Sequence, residues 1–299
     1  WDLMLRLQGT KPGFPFLMKT YFVGYFFTVL LPSTVGGDVA RSYYCGKEVG
    51  DHYTAATSIF FERFSGLLLL LFFAVATPFL RWEVLSSWRV IIPMIGAALL
   101  LAILVAYSLS ERLLRGTISL LQGVARFSRG HLEKNPILAR TGISGRMSSL
   151  GDIFSRKGGK FFRTVRETAG YFREQPAYLA WTVLLTLLFY AITWFNVYVA
   201  FRTFHIEVGM FQIVALLPII MLVSMLPISI GGIGLAEGAY VFYFSLVGVP
   251  VESAFVMSIF LRFKLMVVAC VGLLFYLTFR DRRRDNAEML AEKAEAERK

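Results

Sequence analysis

The sequence predicts an all-α polytopic membrane protein, and three observations carry that prediction. Hydrophobic residues make up 56% of the chain against 17% charged, with a mean hydropathy of +0.61, outside the range of ordinary soluble domains. The runs Val90 to Ser110 and Ala177 to Phe201 hold no charge, and each has the ~20 residues needed to cross the hydrocarbon. Finally, apolar segments are interrupted by proline and paired glycines at two matching places, which predicts an inverted repeat with two broken, re-entrant helical hairpins.

The second interruption is the clearer one. Within the apolar tract Val208 to Val251, where Glu237 is the sole charge, stands Leu226-Pro227-Ile228-Ser229-Ile230-Gly231-Gly232-Ile233-Gly234-Leu235-Ala236-Glu237. Pro227, Gly231, Gly232 and Gly234 should open the helix and leave bare amides and carbonyls at membrane depth. Such backbone is tolerated only inside protein or beside a polar cavity, so the carboxylate next to it marks a candidate site.

Near the start, Leu31-Pro32-Ser33-Thr34-Val35-Gly36-Gly37 repeats the Leu-Pro and Gly-Gly at the same spacing, and Ala40-Arg41 follows it as Ala236-Glu237 follows the second. Downstream, Ser58-Ile59-Phe60-Phe61-Glu62-Arg63-Phe64 echoes Ser258-Ile259-Phe260-Leu261-Arg262-Phe263-Lys264. Interrupted segments at corresponding positions of two halves point to a repeat-built transporter whose binding site lies where the breaks meet.

In chain order, Trp1 to Pro15 precedes a marginal apolar stretch, Phe16 to Val35, read as half of a re-entrant hairpin or as a plain short span. Further spans follow at about Ala55 to Leu80, Trp88 to Leu109 and Tyr178 to Phe201. The tract Met210 to Val247 is a second hairpin or two short spans, and the last helix runs from about Ala254 to Phe279. Between 111 and 176, thirteen Lys and Arg face five Asp and Glu, which places that segment in the cytoplasm by the positive-inside rule. Leu114, Ile118, Leu121 and Val124, then Phe154, Phe161, Val165 and Phe172, recur at helical spacing and suggest surface-lying helices. Arg280, Arg282, Arg283 and Arg284 put the C-terminus in the cytoplasm as well, so the tract between helices must return to the side it left. The expected division is a transmembrane domain over 1–279, with halves of about 1–87 and 88–279, and a polar tail over 280–299.

Charges inside the apolar spans define the candidate site. Insertion scales put the cost of a central Arg or Lys at ~2.5 to 3.5 kcal/mol, so Arg262 and Lys264 should face protein and find carboxylates or an anionic ligand. Arg41, Arg63, Arg262 and Lys264 are the candidate phosphate or lipid contacts, and Asp38, Glu62 and Glu237 their charge partners. Guanidinium forks suit a phosphate, and the same groups also suit internal ion pairs. Three separated histidines and two cysteines show no metal-ligand spacing. No metal or cofactor is expected, nor any nucleic acid, since topology accounts for the net charge of +11.

The stretches Tyr21-Phe22-Val23-Gly24-Tyr25-Phe26-Phe27, Leu31 through Gly36-Gly37-Asp38-Val39-Ala40-Arg41, Glu62-Arg63, Pro227 through Gly234 to Glu237, Gly248-Val249-Pro250 and Arg262 resemble the transmembrane, flippase-like region of lysylphosphatidylglycerol synthases and their stand-alone relatives. The resemblance spans Trp1 to about Phe279. It implies an inner-membrane protein that moves or handles a phospholipid or a polyprenyl-linked lipid. It also implies about two further helices before Trp1. Lysyl transfer is not inferred, since the bifunctional members carry a large soluble aminoacyl-transferase domain for it that residues 1–299 do not include. Two other functions remain open at this stage: a membrane-embedded transferase using Glu237 as general base, and a non-catalytic scaffold. Gly158-Gly159-Lys160 is followed by Phe161, so the sequence offers no Walker-type loop for ATP. Oligomeric state is not legible.

Overall fold

The computed structural model describes residues 1–31, 35–80, 87–109, 164, 167–168, 170–172, 174–226, 229 and 232–296. Among these, regular structure is helical: α1 (Asp2–Leu7), α2 (Phe14–Leu30), α3 (Gly36–Val49), α4 (His52–Ala76, extended by a 3-10 turn Thr77–Leu80), α5 (Trp88–Leu109), α6 (Pro176–Thr203), α7 (Met210–Ser224), α8 (Leu235–Ser245) and α9 (Val251–Ala296). The surface-lying helices expected between 111 and 176 fall almost wholly outside the described residues. Pro32, Pro227 and Gly231 lie outside them too.

Among the described residues, four stretches are long and apolar enough to cross a membrane: His52–Leu80, Trp88–Val105, Pro176–Thr203 and Val251–Phe279. Local chemistry sets their ends. The Asp51 side chain caps α4 by accepting the Tyr53 amide at 2.9 Å and the Thr54 hydroxyl at 2.7 Å, and α6 opens on Pro176, whose missing N–H costs nothing in a first turn.

Helix ends flank both expected interruptions: α2 ends at Leu30 and α3 begins at Gly36, and α7 ends at Ser224 and α8 begins at Leu235. With 15 and 11 residues, α7 and α8 are ~22 and ~16 Å long, each well short of a ~30 Å hydrocarbon core. Neither helix reaches across such a core by itself, and the two pack against each other. α7 is also the centre of the fold, with Ile213, Leu216, Leu217, Ile219 and Ile220 all fully buried among Leu71 and Ala74 of α4, Val90 and Ala97 of α5, Val197 and Phe201 of α6, and Ala254 and Met257 of α9. An interrupted hairpin can exist at membrane depth because protein surrounds it.

Ring pairs fix the sense of the two hairpins. Phe16 packs on Phe279 and Phe22 on Phe275, so α2 enters beside the C-terminal end of the α9 span and runs antiparallel to it. Phe204 packs on Phe260 and Phe201 on Phe244, so the α7–α8 hairpin opens beside the other end of α9. The hairpins therefore enter from opposite sides, with their interruptions toward the middle of α9. Close approach of α2 to α9 depends on Gly272, where any Cβ would collide with the Phe22 carbonyl.

Candidate functional site

At the first interruption the residues converge from three helices. Asp38 stands in the first turn of α3, where the helix dipole favours a carboxylate. One turn on, Arg41 donates from Nη2 to Asp38 Oδ1 at 2.7 Å and from Nη1 to Glu62 Oε2 of α4 at 3.1 Å. Arg63, the next residue of α4, places Nε on Asp38 Oδ2 at 2.8 Å and Nη2 on Oδ1 at 2.9 Å. Two arginines and two carboxylates thus form one neutral network. The Arg41 side chain is 3% exposed and that of Arg63 54%, so Arg41 is an interior strut and Arg63 offers its outer edge to whatever surrounds it.

Arg41 reaches this position because α2 and α3 touch. A Cβ at Gly24 would stand 2.7 Å from Arg41 Cγ, and one at Gly37 would overlap the Gly24 carbonyl and the Thr28 hydroxyl. Aromatic rings complete the enclosure: the guanidinium carbon lies 4.5 Å from the Tyr21 ring centroid and 5.0 Å from that of Trp1, in the range of cation–π attraction. Tyr21 also donates its hydroxyl to Glu62 at 3.2 Å, and Trp1 its indole N–H to Ser58 at 3.0 Å. Sequence reasoning did not single out these two rings. Tyr21 has a faint signal in the aromatic run ahead of the break; Trp1 has none, because only folding brings it to α4.

At the second interruption the parts are simpler. Gly234 has φ +81°, a left-handed conformation that glycine adopts without strain, and α8 starts directly after it. Glu237, at the third position of α8, turns back to accept the Gly234 amide at 2.7 Å, the reciprocal half of a capping box. Its other oxygen meets Arg262 Nε of α9, whose Nη2 donates to the Gly232 carbonyl at 2.9 Å. One guanidinium thereby satisfies both the buried carboxylate and an orphan carbonyl of the interruption.

Six of the seven expected charged residues therefore sit at the two interruptions. Lys264 stands apart from the other six, for it meets neither Glu237 nor Glu62. Two residues advance a helix by ~200°, so Lys264 cannot share the face of Arg262, and its ammonium donates instead to Asn196 Oδ1 of α6. Of the expected helix breaks, Gly36 and Gly37 form the first turn of α3, and Gly232 and Gly234 lie in the second interruption.

A family model for the lysylphosphatidylglycerol synthase TM region matches residues 1–272. The chain belongs to this family. Comparison with curated proteins and with solved structures returned no match. As a member of the lysylphosphatidylglycerol synthase TM family, the chain is a multi-pass membrane protein, and the family's name ties it to membrane lipid.

Proposed function

We propose that the chain translocates a phosphate-bearing lipid, a phospholipid or a polyprenyl-linked lipid, between two hairpins that enter the cell membrane from opposite faces, with the C-terminus in the cytoplasm. In this reading residues 1–87 and 88–279 are the two halves of an inverted repeat. The observation that supports it is the pair of charge-neutral clusters at the two interruptions. Asp38 and Glu62 balance Arg41 and Arg63 when no ligand is bound, and Glu237 balances Arg262. A headgroup phosphate arriving there competes with the carboxylates for guanidinium forks whose geometry suits either anion. Arg63, half exposed, is the first contact, and Arg262 the partner at the other interruption.

An embedded transferase using Glu237 as base gains less support, because both Glu237 oxygens already accept hydrogen bonds from Gly234 and Arg262. The test is the full chain in proteoliposomes with headgroup-labelled phospholipids. Translocation without a new lipid species is the expected result; a chemically modified lipid would favour the transferase, and neither outcome would leave a scaffold.

A further inference from the structure

The contact between Lys264 and Asn196 is unlike every charged contact described above. Arg41, Arg63 and Arg262 each lie on a carboxylate, whereas the partner of Lys264 is a neutral amide. The pair also lies off both interruptions, on the face where α6 and α9 run side by side. Its surroundings are those of a surface meant for lipid: Ile192, Phe195 and Val199 on α6 are 58%, 59% and 43% exposed, and Phe263 and Val267 on α9 are 62% and 49% exposed. Asn196 is itself exposed. Seven residues separate it from the C-terminal end of α6, and thirteen separate Lys264 from the start of α9, so the pair lies ~10 to 20 Å inside the apolar spans.

A cation and an amide in that position are costly in hydrocarbon and are functional by default. Their chemistry is that of an anion receiver. Lys264 occupies Asn196 Oδ1, which turns the two N–H groups of the amide away from it, and the ammonium keeps two further donors. Four donors beside one positive charge, with the amide oxygen already engaged, fit phosphate oxygens and repel nothing anionic.

We propose that Lys264 and Asn196 form a lipid-facing way station for the headgroup phosphate of an anionic phospholipid, separate from the two interruptions and open to the bilayer between α6 and α9. This rests on the lipid-handling reading and assigns it a route: the phosphate leaves the membrane surface along this seam, with its tails beside Phe195, Phe263 and Val267, before meeting an arginine cluster.

The test uses the full chain in phosphatidylcholine vesicles doped with a phosphatidylglycerol carrying a photoactivatable headgroup, and in parallel an uncharged lipid carrying the same group. Adducts of the phosphatidylglycerol should map to 192–199 and 263–267, and their yield should fall about tenfold in Lys264→Gln, the scale of one charge-assisted hydrogen bond. Lys264→Arg should retain them. Asn196→Leu, which keeps the cation, should lose part of the yield and guards against misfolding of the lysine variant. Equal adducts from both lipids, unchanged yield in Lys264→Gln, or cross-links to a second copy of the chain in place of lipid would overturn the proposal. Translocation measured in the same vesicles separates the two ideas: adducts without translocation overturn the transport reading alone, and translocation without Lys264-dependent adducts overturns this one alone.

Discussion

Arg262 holds Glu237 across 25 positions of sequence, and the contact is the counterpart, with signs exchanged, of Arg41 on Glu62. In the first half the hairpin carries the arginine and the long helix after it the glutamate. In the second half the hairpin carries the glutamate and the long helix the arginine. Ser58 and Ser258 stand four residues before Glu62 and Arg262 respectively, so the exchange occurs at matching places of two similar stretches of sequence.

Replacing Arg262 by Met leaves Glu237 buried without its guanidinium partner, held by backbone amides such as that of Gly234. One-sided removal of a buried ion-pair partner costs ~3 to 5 kcal/mol, so the melting temperature in detergent should drop sharply. Adding Glu237→Gln should restore most of the stability and none of the lipid translocation. A double variant that regains both would show that the pair only holds helices together.

The two arginines of the first cluster should separate by burial. Asp38→Asn removes the carboxylate that both share and leaves interior Arg41 with Glu62, so the loss should be about 3 kcal/mol. Arg63→Gln removes a half-exposed partner, and its effect on stability should stay within about 1 kcal/mol while translocation falls. Thermal unfolding beside the vesicle assay reads both, and equal destabilisation by the two changes would contradict the assignment.

Gly272→Leu should force α2 and α9 apart, since even a Cβ meets the Phe22 carbonyl; overpacking of this kind costs ~1 to 3 kcal/mol. Gly96 of α5 has open space around it, and Gly96→Ala should raise stability slightly by stiffening the unfolded chain. The melting temperatures of the two variants should therefore move in opposite directions.

Asp51 supplies a pH signature outside the spans. Burial pushes its carboxyl up, but hydrogen bonds from the Thr54 hydroxyl and from the Tyr53 and Thr54 amides outweigh that and hold its pKa below the usual value. A depressed carboxylate contributes its full stabilisation above the unfolded pKa of ~3.9 and loses it as pH falls through the folded value. The advantage of the native chain over Asp51→Ala, ~1 kcal/mol at neutral pH, should therefore vanish in acid. An advantage independent of pH would assign the loss to packing.

Orientation is testable by chemistry. Single cysteines placed between 111 and 176 of a variant lacking Cys45 and Cys270 should react with an impermeant maleimide only from the cytoplasmic side. Reaction from outside would invert the arrangement of both hairpins.

The sequence by itself determined that this is a helical membrane protein, where its long spans lie, and where two helices break, because hydropathy over ~20 residues and the backbone chemistry of proline and glycine are local properties. It also placed ionisable groups beside those breaks, since a charge in an apolar run stands out without any knowledge of its neighbours. Tertiary structure alone decided which charge meets which. Arg262 and Lys264 look equivalent in a list of residues, yet helical rotation sends one to Glu237 and the other to Asn196 on a lipid-facing seam. Trp1 and Tyr21 enclose Arg41 for the same reason: their contribution is a distance between helices, set by Gly24 and Gly37 at the α2–α3 contact, and no spacing in the chain encodes it.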